Sequence, residues 1–164
     1  MRGSTGPVTG LDGLRWDTSG PLTEIDADVA HLLDGLPDDP VELCRVAQGL
    51  VILPDLASGF GIPDHRQQER SIRSTSDILR RLVELGDTPL VGDRPVDRRG
   101  VGTCRHLALL ATALLRHRAI PSRARCGFAS YFVDAKYVDH WIVEHGMEGR
   151  WVRVDPEILG FEFV

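Results

Sequence analysis

From Thr103 to about Arg118 the apolar residues Leu107, Leu110, Ala111, Leu114 and Leu115 recur at the helical interval without interruption. A face that continuous predicts a helix buried in the protein rather than lying on its surface. The helix opens on Gly100-Val101-Gly102-Thr103-Cys104, so a cysteine is expected on its first turn, preceded by small residues that leave room for a ligand. Any fold for this chain has to cover that helix while keeping the cysteine end accessible.

The segments on either side have different characters. Upstream, Val29, Leu32 and Leu33 predict a helix over 26–36. Asp39-Pro40-Val41-Glu42 is a cap, a first-turn proline and an acid that start a second helix running to about Val51. Leu53-Pro54, Gly59 and Gly61 predict a loop, and Ile72, Leu79, Leu82 and Val83 place a third helix within 64–85, stopped by Gly86. Residues 87–102 lack any period and predict a surface loop. Beyond Pro121, segments 123–132, 138–147 and 150–154 are rich in branched and aromatic residues and predict strands, with Glu148-Gly149 as a hairpin turn. Helices first and a small antiparallel sheet afterwards is an α+β layout.

The 164 residues fit one domain, 1–164, with 1–25 as an irregular arm and 94–156 as the core that carries chemistry. A net charge of -5 argues against a nucleic-acid partner. The basic residues are nearly all arginine, Lys136 being the exception, which reads as coding bias and not as mechanism. No stretch approaches the roughly 20 apolar residues of a membrane span, and the amino terminus lacks a signal-peptide pattern, so no membrane association and a cytoplasmic location are expected. Cys44, Cys104 and Cys126 are three, widely spaced, and predict free thiols rather than a disulfide framework.

Cys104 at a helix start would have its sulfur near unpaired backbone N–H groups and the positive end of the dipole, which favours thiolate, the nucleophilic form. The same N–H groups would hold an oxyanion formed at an attacked carbonyl. A nucleophilic cysteine needs a base, and His140 lies mid-strand in Asp139-His140-Trp141-Ile142-Val143-Glu144. A third group must hold the imidazole, and Asp155 ends the strand Trp151-Val152-Arg153-Val154. Each has a plain structural alternative: a buried thiol, a core histidine, an Asp-Pro turn.

Gly102-Thr103-Cys104-Arg105-His106-Leu107, then Ile120-Pro121-Ser122-Arg123, Gly127-Phe128, Asp139-His140-Trp141 and Trp151-Val152-Arg153-Val154-Asp155-Pro156 resemble the core of the bacterial transglutaminase-like superfamily, over about 94–156. The resemblance implies a papain-like fold, with the cysteine helix packed on the sheet that carries histidine and aspartate. It also implies a Cys104-His140-Asp155 triad working through an acyl-enzyme thioester. The chain ends at Val164, sooner after the aspartate than expected, and the second oxyanion donor stays unassigned, with Gln48 a weak candidate.

The substrate expected is a peptide, a protein or a small amide or thioester, with either water or an amine as acceptor; no cofactor is expected. The alternative is an inactive domain of the same fold that binds a peptide or protein partner. A zinc site from Cys104, His106, Cys126, His140 and His145 lacks the usual spacings, and no metal is expected. His106 is expected on the surface or behind the site. Trp141, Trp151, Phe128, Tyr131 and Phe132 are expected in the core or pocket wall, and Arg94, Arg98 and Arg99 are expected to be solvated near the cysteine loop. The oligomeric state is open.

Overall fold

A computed structural model describes residues 15–86 and 89–160, and most of the predicted amino-terminal arm lies outside them. The elements in order are α1 (Pro40–Leu50), β1 (Val51–Ile52), α2 (Pro54–Gly59), α3 (Thr75–Glu84), β2 (Gly100–Val101), α4 (Cys104–His117), β3 (Ser122–Ala129), β4 (Val138–Met147) and β5 (Arg150–Val154), joined by short 3-10 turns. Mixed helices and small sheets make an α+β structure. Among the described residues, no helix is long and apolar enough to cross a membrane.

Helix α4 is the centre. Every residue from His106 to Leu115 is buried, with α1 contributing Leu43, Cys44, Ala47 and Leu50 to the same core and β4 and β5 contributing Val143 and Val154. Helix α1 begins where Asp39 accepts hydrogen bonds from the N–H groups of Val41 at 2.9 Å and Glu42 at 3.0 Å, with Pro40 at its first position. Cys44 is wholly buried, and desolvation pushes its thiol up to about 12, so it packs and does not react.

Strands β3, β4 and β5 form an antiparallel sheet in that order, and β1 pairs with β2 in parallel. Glu148 and Gly149, with φ of 52° and 76°, form the two-residue turn between β4 and β5, where Met147 faces Arg150. Strands β4 and β5 match their expected bounds, and β3 stops at Ala129 instead of reaching Phe132.

Four expectations are corrected. The helix over 26–36 is only a 3-10 turn, Ala30–Leu33. The third helix is two pieces, a 3-10 segment Asp64–Ser71 and α3, because Ile72 is extended and Ser74 caps afresh by accepting from the N–H of Asp77. The loop after Leu53 contains α2. Residues 87–102, where described, are no plain surface loop: Arg94 is buried, donating to the carbonyls of Leu82, Gly86 and Arg98. Nearby the buried pair Arg66–Glu69, at 2.8 Å, also holds β2, since Glu69 accepts from the N–H of Val101 at 2.7 Å. Arg98 is exposed, as expected, and Arg99 is half-buried.

His106 is not a surface residue. Its Nδ1 accepts from the N–H of Thr103 at 3.0 Å, which leaves the proton on Nε2 to donate to the carbonyl of Ile72 at 3.1 Å. Burial, with Arg105 beside it, lowers its pKa from 6.5 to about 4. A proton is therefore bound more readily by the unfolded chain, and stability is present above pH 6.5 and falls as pH drops towards 4. His145, buried on β4, is displaced the same way by burial. Denaturation between pH 7 and 4 is expected to show a loss from His106 on the order of 2 kcal/mol. His106→Gln should flatten that dependence; an unchanged slope in the variant would remove the assignment.

Candidate functional site

Three elements converge at the start of α4. Cys104 occupies its first position and is partly exposed, and Gly102 just before it is a place where only hydrogen fits. A Cβ there would lie 2.9 Å from His106 Cγ and 3.0 Å from Val51 Cγ1. The cysteine end of the helix is thus seated against β1 and His106 together.

Strand β4 brings His140. A ring nitrogen of His140, the sulfur of Cys104 and a carboxylate oxygen of Glu157 all lie within 4.8 Å of one another. His140 Nε2 is 2.7 Å from Asp155 Oδ2, at the end of β5. With Nε2 turned to the carboxylate, Nδ1 is the nitrogen left for the sulfur. Asp155 is itself held, since Oδ1 accepts from the N–H of Glu157 at 2.9 Å and Oδ2 accepts from the hydroxyl of Tyr131 at 2.6 Å. The Phe132 ring packs edge-on against the His140 ring at 4.8 Å between centroids.

Cys104, His140 and Asp155 are therefore neighbours in the fold. Three further residues complete the surroundings. Tyr131 and Phe132 were legible only as pocket aromatics, and Glu157 carried no local motif. The contacts of Tyr131 and Phe132 depend on the β3–β4 connection folding back over His140, and those of Glu157 on the turn after β5, neither of which sequence spacing encodes.

The electrostatics differ from the expectation of a depressed thiol. Burial raises the Cys104 pKa, opposed by N–H groups of Trp141 and Arg105 directed at the sulfur, and reinforced by the charges of Glu157 and Asp139. Desolvation and two acidic neighbours outweigh those two N–H groups, so the fold shifts Cys104 towards the protonated thiol. Glu157 is raised as well, by burial and by Asp155, with His140 acting against them.

Two grooves border this centre, one past Glu157 and the other past His140 and Asp155, and Cys104 itself lines neither. The larger, about 750 Å³, lies along α1, β1 and α2 and includes Gln48, Leu53, Phe60, Tyr131, Phe132 and Glu157. Gln48 donates to the carbonyls of Glu157 and Leu159, so it tethers the turn after Asp155. The smaller, about 450 Å³, lies over β3, β4 and β5 and is lined by His140 and Asp155 at one end. Phe128, expected to be packed, is 79% exposed beside this second groove.

Of the donors weighed for zinc, only Cys104 and His140 come together. Cys126 is exposed on β3, His106 is bound to backbone, and His145 is buried on the other face of β4. Among the described residues, the group with spacing for a metal ion is instead Cys104, His140 and Glu157.

Residues 86–156 match the family model described as the transglutaminase-like superfamily. Comparison with curated proteins and with solved structures gives no match.

Glu157→Gln removes the carboxylate beside the sulfur, so the pH midpoint for alkylation of Cys104 is expected to move to lower pH. Iodoacetamide labelling across a pH series, read at Cys104 by peptide mass, checks this; a midpoint that stays or rises contradicts the described electrostatics.

Proposed function

Because residues 86–156 carry a transglutaminase-like core, we propose that the protein is a cysteine-dependent acyl-transfer enzyme acting on an amide or thioester through Cys104, His140 and Asp155. The observation that supports this most is the chain of three groups: sulfur and imidazole within 4.8 Å, and imidazole and carboxylate at 2.7 Å.

In this reading the substrate carbonyl enters beside Cys104 and the sulfur attacks its carbon while His140 takes the S–H proton. The oxyanion forms where the N–H groups of Arg105 and Trp141 already point at the sulfur. Collapse breaks the bond to the leaving amine or thiol, which receives the proton from His140, and a thioester remains on Cys104. The acceptor then attacks the thioester, gives its proton to His140, and the C–S bond breaks to restore the thiol. Asp155 keeps Nε2 protonated and the ring aligned throughout, and Tyr131 and the N–H of Glu157 keep Asp155 aligned.

Water as acceptor makes a peptidase or deamidase, and an amine makes an amide-forming enzyme. Both are served by the same first half-reaction.

Incubation with a panel of acyl donors, with and without an added primary amine, tests the chemistry and the acceptor together. Cys104→Ala should abolish turnover and thioester formation. Asp155→Asn should lower kcat/KM by about 10²–10⁴-fold with the protein still folded, as loss of the orienting carboxylate does in hydrolytic triads. Full activity in Cys104→Ala, or electrophile labelling confined to Cys126, would refute the assignment and favour an inactive, peptide-binding domain.

A further inference from the structure

The sheet alternation places a second chemistry on the same surface as His140. Side chains on β4 point alternately to two faces, so His140, Ile142 and Glu144 share one face while Val143 and His145 turn into the core. The register puts Gly127 opposite His140, Arg125 opposite Ile142 and Arg123 opposite Glu144 on β3, with Arg153 opposite Glu144 on β5. Asp155 and Arg153 lie two residues apart on β5 and therefore share that face too. Residues of this one face, Arg125, His140, Ile142, Arg153 and Asp155 among them, line the 450 Å³ groove.

At the end away from His140, the Glu144 carboxylate is buried and held by Arg123 at 2.8 Å, Arg125 at 2.6 Å and Arg153 at 3.3 Å. Three guanidinium groups around one carboxylate leave an excess of positive charge on a chain whose net charge is -5. Arg123 is occupied, lying between the rings of Trp16 and Trp151 at 5.0 and 4.4 Å. Arg125 and Arg153 are 51% and 69% exposed, and each contacts Glu144 through one nitrogen, with further N–H groups facing the groove or solvent. The buried Glu144 sets their heads in place in advance, which lowers the entropy cost of receiving an anion.

We propose that the groove over β3–β5 is a subsite for a negatively charged group of the acyl donor, a carboxylate held by Arg125 and Arg153. The proposal rests on Cys104 being the nucleophile for its link to catalysis, but the anion site itself is defined by the sheet. With roughly 3.4 Å of rise per residue, the arginines stand about 7–14 Å along the sheet from His140. A donor with an acidic side chain one or two residues from its reacting carbonyl spans that interval. Ile142 offers apolar contact between the two ends, and Phe128 lies beyond His140 on the other side.

The test uses two probes that differ by one charge, chloroacetyl-Gly-Glu-amide and chloroacetyl-Gly-Gln-amide, with alkylation rates read at Cys104 by peptide mass. The glutamate probe should react about tenfold faster, the ratio one charge-assisted hydrogen bond supports. Arg153→Gln, and the pair Arg125→Gln with Arg153→Gln, should bring the ratio towards one, while Arg125→Lys keeps most of it. A ratio near one in the unaltered protein, or an undiminished ratio in the double variant, overturns the proposal.

A binding arm separates the two readings. Acetyl-Gly-Glu-amide, which cannot alkylate, is titrated while the Nε–H resonances of Arg125 and Arg153 are followed. Saturable shifts that the glutamine analogue does not produce support the subsite even if Cys104 labels no faster than Cys126, a result that would sink only the nucleophile. No shift at either arginine sinks the subsite however reactive Cys104 is.

Discussion

The position of the sulfur depends on a single neutral imidazole, that of His106. It accepts from the first N–H of the α4 start and donates to Ile72, so the mouth of the buried helix is bolted to the connection that leads into α3. A glutamate or glutamine at the same third helical position would satisfy that N–H, but without a ring N–H it would not donate to Ile72 and tie the helix to another part of the chain. Gly102 allows the ring to sit that close, and the Glu69 carboxylate holds the preceding strand at Val101. Together these contacts locate Cys104 by three elements distant in sequence. The proposed role of Cys104 calls for such placement, since small displacements at a reacting centre are costly.

Strand β4 performs the complementary task on the other side. Its period of two sends Val143 into the core against α4 and sends His140 to the opposite face of the sheet, where it is buried beneath Asp155 and Phe132. A slip of one residue would exchange the two sets, burying the imidazole under the sheet and exposing the core valine. The tight Glu148-Gly149 turn, with both residues at positive φ, prevents the slip on the β5 side and so sets which β5 residue faces His140. Packing and site geometry are thus specified by one register.

This explains which parts were legible in the residues. Strands β4 and β5 and helix α4 announce themselves by period and by turn chemistry; Cys104 opens α4, His140 lies within β4 and Asp155 follows β5, so local rules reach all three. The amino-terminal half was harder for physical reasons. Ile72 interrupts what reads as one helix because Ser74 offers a better cap than continuing would. The helix at 26–36 shrinks to a 3-10 turn ahead of Gly35, which has a φ of 78°. Arg94 looked like a solvated charge near the cysteine, yet three carbonyls of the α3 end and its following loop draw it inside. Tyr131, Phe132 and Glu157 acquire their roles only when segments far apart in sequence close over the imidazole.

The acid–base state of the thiol bears on how such a site would work. A helix end and two N–H groups favour thiolate, but the sulfur is half-enclosed and faces the carboxylates of Glu157 and Asp139, and the balance falls on the neutral side. A resting thiol changes the order of events, because the proton leaves when the nucleophile moves onto the carbonyl rather than beforehand. In the proposed reaction the base is then needed in the first transition state, and the geometry of His140 matters more than the prior charge on sulfur.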